Sequence, residues 1–259
     1  MSIKVDPEWW KTLFDEIYLL TDARSICEDE VTRREVDMIC ELIPVCPGDR
    51  ILDLCGGQGR HCFELSRRGY ARCTVFDYSA FLINHGRTCA MDQDKPIDFV
   101  QGDARSTGLK SCTFDCVLIM GNSLGYILDE DADNLILCEA GRVLCSGGWL
   151  LIDVVEGVSI IKNFNPIAWH EIGNDIVVCR QREIHDRVVC SRELVISKER
   201  GLVCDRTYSI RLYNPKSLEA LVYEAGFHRI KIHTEFIPHS IKGDYGFMNH
   251  RMMVTCQKP

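Results

Sequence analysis

The stretch from Arg50 to Tyr70, RILDLCGGQGRHCFELSRRGY, sets a carboxylate beside a run of glycines in a spacing suited to ligand binding. Ile51, Leu52 and Leu54 make an apolar run around Asp53, Gly56, Gly57 and Gly59 follow, and Phe63 and Leu65 resume an amphipathic helical pattern. This reads as a buried strand, a tight loop and a helix start, an arrangement that lets backbone N–H groups approach a nucleotide-like ligand without side-chain interference. A dinucleotide fingerprint would have its last glycine where Cys62 stands, and a strand-end Asp has no part in phosphate binding. An acid at Asp53 instead suits a ligand with positive charge near the loop, such as the amino and sulfonium groups of S-adenosylmethionine.

Other strand ends supply a second set of groups: Asp77-Tyr78-Ser79, Gly102-Asp103-Ala104 and Met120-Gly121-Asn122-Ser123. Each suits an adenosine carrying a cationic methionine. Asp77 can accept from both ribose hydroxyls. Tyr78 can stack on one adenine face, Asp103 can accept from the adenine amino group, and the Ala104 N–H can donate to the ring. For any one of these acids a solvated carboxylate or a helix cap is the commoner role, so their joint register carries the reading.

The elements that hold these residues follow from hydrophobic period. Residues 8–20 and 31–43 have helical spacing, and the first of these carries Trp9, Trp10, Phe14 and Tyr18. Core packing is the commoner role of such an aromatic stripe, and lining a cavity the alternative. Strand-like runs at 72–77, 97–101, 114–120 and 149–155 alternate with helical runs at 79–91 and 130–145. Such alternation predicts an α/β fold: a doubly wound, mainly parallel seven-stranded sheet with helices on both faces, whose ligands bind beyond the carboxyl ends of the strands. From Trp169 to Leu212 the pattern changes to about three alternating runs broken by turns, an antiparallel insert after the fifth strand. A helix from Pro215 to Ala225 and strands at 228–234 and 251–257 complete the chain. The expected division is an N-terminal helical cap over the cofactor site (1–47), a core (48–158 and 213–259) and a substrate-covering insert (159–212).

Composition narrows the function. A net charge of −8 over 259 residues disfavours nucleic acid, which needs a basic face. No apolar run approaches membrane-spanning length, and the first residues lack a signal-peptide layout, so a cytoplasmic protein is expected. The 15 cysteines are scattered without a Cys-x-x-Cys pair and read as reduced structural thiols, with no metal site expected.

The ordered segments ILDLCGGQG, TVFDYS, VQGDA, FDCVLIMGNSLGY and GRVLCSGGWLLID resemble the class I (Rossmann-like) S-adenosylmethionine-dependent methyltransferases. Within that class the Gly-Arg-His loop and the Asn-Ser-x-Gly-Tyr strand end are similar to those of small-molecule methyltransferases. The resemblance spans residues 30–155 and, more loosely, LYNPKSLEALVYEAGF. It implies that Gly56, Gly57 and Gly59 wrap the methionine moiety, Asp77 takes the ribose, Asp103 and Ala104 take the adenine, and Met120 lends backbone beside the sulfonium. Tyr18, Asp53, Cys55, Arg60, Tyr78, Ser79, Gly102, Gly121 and Asn122 complete the expected cofactor set. Cys55 departs from the family, which usually has Gly there.

Methyl transfer demands alignment, exclusion of water and, for some acceptors, removal of a proton. Tyr126, His170 and His250 are the candidates for catalysis, and Trp169, Arg211, Tyr213, His239 and Tyr245 for acceptor contact. Arg60 and His61 begin the helix after the loop, where either can fold back toward the methionine carboxylate. The leading expectation is transfer to an oxygen, nitrogen or carbon of a small metabolite. A non-catalytic S-adenosylmethionine sensor and a nicotinamide oxidoreductase are the competing readings; the latter leaves Gly102-Asp103-Ala104 unexplained. Exposed strands of the insert offer a route to a homo-oligomer.

Overall fold

The computed structural model describes residues 2–26, 28–237 and 246–259. The chain begins with a 3-10 turn (Trp9–Lys11), α1 (Glu16–Ile26) and α2 (Asp29–Leu42). There follow β1 (Ile51–Leu54), α3 (Arg60–Arg67), β2 (Cys73–Asp77), α4 (Ala80–Asp92), β3 (Ile97–Gln101), β4 (Phe114–Ile119), α5 (Ala132–Val143) and β5 (Leu144–Val155). After α6 (Gly157–Lys162) come β6 (Ile167–Ile172), β7 (Ile176–His185), β8 (Val188–Ser197) and β9 (Gly201–Arg211). The chain closes with α7 (Pro215–Glu224), β10 (His228–Phe236), a 3-10 turn (Gly246–Asn249) and β11 (Arg251–Gln257).

The larger sheet has the expected seven strands, which lie in the order β10-β11-β5-β4-β1-β2-β3. Only β11 runs against its neighbours. Alternate residues of the central strands serve opposite faces. Leu52, Leu54, Val117 and Ile119 pack with Ile136 and Leu137 of α5 and Leu218 of α7, whereas Ile51, Val75 and Leu118 pack with Ile39 of α2, Leu65 of α3 and Ile83 of α4. Each such side chain contributes about 1.5–3 kcal/mol on burial, which is why these strands read as unbroken apolar runs. The strand order reverses between β1 and β4, so the loops after them diverge and leave a crevice at their carboxyl ends.

Two elements differ from expectation. The helical spacing of residues 8–20 is broken: the Asp15 carboxylate accepts from the Tyr18 N–H at 3.0 Å and starts α1 there, leaving Trp9 and Trp10 in the preceding turn. The insert has four strands rather than three, in the order β6-β7-β8-β9. The extra one, β6, is a six-residue edge strand with Trp169 and Ile167 largely exposed, so its alternation is weak in the sequence.

The N-terminal segment is wedged between core and insert. Ser79 Oγ donates to the Phe14 carbonyl at 2.6 Å from one side, while Arg206 Nη1 donates to the Leu13 carbonyl at 3.0 Å and Trp9 Nε1 to Ser209 Oγ at 3.2 Å from the other. Among the described residues no helix is long and apolar enough to cross a membrane.

Candidate cofactor and acceptor site

At the strand tips lies an open cleft enclosing about 690 Å³ of space, solvent included. Asp77, Tyr78, Asp103 and Ala104 line one side of it, and Trp10, Phe14, Tyr18 and Tyr126 line the other. It adjoins, across the shared residues Tyr18, Cys55, Gly57, Gly121 and Ser123, a second space of about 340 Å³ that Asp53, Gly56, Gln58, Arg60, His61 and Met120 also border. The residues expected to hold adenosine border the larger space and those expected to hold the methionine moiety, Gly59 apart, border the smaller, and the two ends are named for those expectations.

At the adenosine end the carboxylates already have partners. Asp77 accepts from the Gly57 N–H at 2.9 Å and the Ser79 N–H at 2.8 Å. Burial pushes its pKa up to about 6, against those backbone donors, and the nearby Asp53 carboxylate adds to the rise. Asp103 is gripped by Arg105 through Nε at 3.0 Å and Nη2 at 2.6 Å, and the Arg105 guanidinium holds it below the ordinary carboxylate range. The same guanidinium lies 5.3 Å from the Trp10 ring, which meets Tyr78 edge-on at 4.7 Å.

At the methionine end Asp53 is different. It is completely buried, neither carboxylate oxygen has a hydrogen-bond partner, and His61 Nδ1 lies 3.5 Å from Oδ2. An unpaired buried acceptor is costly, so the geometry calls for a donor from outside the chain. The α-ammonium of S-adenosylmethionine fits that requirement. The loop is shaped around this acid: a Cβ on Gly56 would lie 2.6 Å from the Asp53 carboxyl carbon. Cys55 has the left-handed backbone, φ +62°, that glycine adopts without penalty.

Several expected cofactor residues support the cavity instead of lining it. Gly59, at φ +83°, caps α3 where a Cβ would meet Val75 and Phe99. Gly102 leaves room for the Phe76 ring, and Ser79 caps α4 by accepting from the Leu82 N–H at 3.1 Å. Asn122 ties the β4 and β5 tips, its Oδ1 accepting from the Val155 N–H at 2.9 Å.

Of the residues expected at the acceptor, Tyr126 lines the larger cavity. Arg211 and Tyr213 do not line either space: both bind the buried Asp133 carboxylate and brace the insert against α5. His170 and Trp169 sit on β6 away from both spaces, Trp169 with 64% of its surface exposed. His250 is exposed, and its carbonyl accepts from the Glu156 N–H. His239 and Tyr245 lie outside the described residues. For the aromatic stripe of Trp10 and Phe14 the sequence favoured packing with cavity lining as the alternative, and both line the cavity, as does Ser123; the sequence reading passed over Glu35, which lies beneath the methionine end.

Residues 51–148 match the model of a family described as a methyltransferase domain. A ubiquinone/menaquinone biosynthesis C-methyltransferase, UbiE, from Ruegeria sp. (strain TM1040) is 33% identical over 119 residues, 45% of this chain and 46% of the relative. The chain thus spans about half the length of that curated relative. Among solved structures the CcbJ methyltransferase from Streptomyces caelestis superposes with a TM-score of 0.77 at 15% identity, covering 96% of this chain and 98% of that one. A sugar N-methyltransferase from Streptoalloteichus sp ATCC 53650 gives 0.66 at 19% identity, covering 100% and 97%. The chain therefore has the Rossmann-like fold of these solved structures, and residues 51–148 are similar to a methyltransferase domain.

Proposed function

We propose that this protein transfers a methyl group from S-adenosylmethionine to a small-molecule acceptor. The observation that carries this reading is Asp53: a fully buried, hydrogen-bond-free carboxylate at the tip of the central strand, facing a space that its glycine loop keeps open. When bound, S-adenosylmethionine supplies an electrophilic methyl carbon. The acceptor's O, N or C bonds to that carbon as the sulfur–carbon bond breaks, the electron pair stays on sulfur, and S-adenosylhomocysteine remains.

Asp53 would hold the α-ammonium, Asp77 the ribose hydroxyls, and Asp103 with the Ala104 N–H the adenine edge, leaving the Met120 and Gly121 backbone beside the sulfur. Tyr18 borders both spaces and so stands between the two halves of such a ligand. Phe14, Tyr18, Tyr126 and Ile127 form an apolar wall that excludes water from the reacting centre and suits an apolar or planar acceptor. Of the three candidates for catalysis only Tyr126 borders the cavity, so it is the residue that positions the acceptor's nucleophile. The cap and the insert, joined through Trp9, Leu13 and Arg206, cover this side. The C-methyltransferase relative and the sugar N-methyltransferase neighbour act on different nucleophiles, and the aromatic wall favours the former kind of acceptor.

Calorimetric titration with S-adenosylhomocysteine tests the assignment. One site is expected, and Asp77→Ala should weaken it by about 1–3 kcal/mol, the cost of losing hydrogen bonds to a charged group. No heat with the unaltered protein, or the same affinity in the variant, overturns the placement.

A further inference from the structure

Beneath the methionine end lies a buried ionic chain that neither the fold nor methyl transfer itself demands. Glu35 of α2 is completely buried and binds three groups: Arg60 Nη1, Arg251 Nη1, and His61 Nε2 at 3.1 Å. His61 turns its other nitrogen toward Asp53 at 3.5 Å. Arg251, fully buried under the Phe236 ring, donates from Nε to Asp153 at 2.7 Å, and Asp153 Oδ2 accepts from the Gly121 N–H at 2.8 Å. One carboxylate from the N-terminal helix is therefore connected to both walls of the methionine space: the β1 tip through His61, and the loop after β4 through Arg251 and Asp153.

The carboxylates of this cluster are not matched alike. Asp53, Glu35 and Asp153 face the two guanidiniums of Arg60 and Arg251 and the His61 ring, which lies between Glu35 and Asp53. Glu35 and Asp153 are engaged by guanidiniums and hydrogen bonds, whereas Asp53 has no hydrogen bond, so it is the carboxylate left open beside the cavity. Burial acts to raise the Glu35 pKa, but Arg60 and Arg251, with His61, bring it well below the ordinary carboxylate range, which fixes it as an anion. Buried ion clusters are a poor source of stability, since desolvation offsets most of their attraction, and their best-attested use is to fix geometry.

We propose that Glu35 and His61 are positioning residues for the α-amino group of the cofactor: Glu35 orients the His61 ring, and His61 holds the Asp53 carboxylate toward the space where that ammonium binds. This rests on the S-adenosylmethionine reading, and it makes recognition of the amino-acid half of the ligand depend on docking of the N-terminal helix, while recognition of the nucleoside half does not.

Two ligands separate these halves. S-adenosylhomocysteine carries the amino-acid group; 5′-methylthioadenosine shares its nucleoside and thioether and lacks it. Glu35→Gln should weaken S-adenosylhomocysteine about tenfold or more, the scale of one lost charge-assisted contact, and change 5′-methylthioadenosine by no more than about twofold. His61→Gln should show the same split, which keeps the test available if Glu35→Gln does not fold. Equal weakening of both ligands would assign the pair a merely structural role and overturn the proposal, as would unchanged S-adenosylhomocysteine affinity. If the unaltered protein bound neither ligand, the S-adenosylmethionine reading would fail first and this one with it.

Discussion

The two ends of the cleft handle carboxylates in opposite ways. At the adenosine end Asp77 and Asp103 are satisfied by neighbours within the chain: two backbone N–H groups for the first, the partly exposed Arg105 for the second. At the methionine end every charge is inside the protein, the partners come from five separate elements, and one acid is left open. The same residue type thus serves as a locally completed hydrogen-bond acceptor at one end and as part of a global framework at the other.

If that contrast is right, a substitution of the same kind should have very different effects at the two ends. Arg251→Met leaves the buried Asp153 without a cation and Glu35 with only Arg60 and His61, and should lower folding stability by about 3–5 kcal/mol, measured by urea denaturation. Arg105→Met removes a pair whose members are each about 30% exposed and should change stability by less than about 1 kcal/mol. Comparable losses from the two substitutions would dissolve the distinction.

A titration sharpens the same comparison. The Asp77 carboxyl has its pKa raised to about 6 in the folded protein, so the folded chain holds that proton more tightly than the unfolded chain does. Its contribution to stability is fully present below the ordinary carboxyl range and is lost as pH rises through about 6. Cofactor affinity runs the other way: the ionised acid is the better acceptor for ribose hydroxyls, so binding should strengthen as pH rises through about 6. Asp77→Asn should remove both dependences. Calorimetry and denaturation repeated across that interval would show whether either trend persists in the variant.

What could be read from the sequence follows the same division. The adenosine end was legible because its residues sit at the ends of apolar runs, so strand prediction alone brings Asp77, Asp103 and Ala104 together. The ionic framework was not, since it depends on α2 and β11 reaching the same depth from opposite ends of the chain. Its traces were nevertheless present: Glu35 falls on the apolar stripe formed by Val36, Ile39 and Ile43, and Asp153 interrupts the apolar run WLLIDVV. A charge on a face that must be buried signals a partner elsewhere, without saying which. Arg211 and Tyr213 misled for a related reason. They stand where the insert closes, but Asp133, whose carboxylate takes both, lies 78 residues away from Arg211 in the chain. The four strands of the insert were undercounted because β6 alternates in burial but not in hydrophobicity, with Ile167 and Trp169 on its exposed positions.

The smallest expected effect concerns the joint between the two ends. Cys55 borders both spaces in a left-handed backbone conformation at φ +62°, a geometry that disfavours any residue with a Cβ by about 1 kcal/mol or somewhat more. Glycine would relieve that strain but would also be freer in the unfolded chain, at a cost of roughly 0.5–1 kcal/mol. Cys55→Gly should therefore raise stability by no more than about 1 kcal/mol. Its consequence for binding discriminates further. If the thiol only occupies space that the loop leaves open, S-adenosylhomocysteine affinity should stay within about twofold, because the groups assigned to the ligand at either end do not include the Cys55 side chain. A larger loss would mean that the thiol itself maintains the register between the halves, and that adenosine and methionine recognition are less separable than their contrasting carboxylates imply.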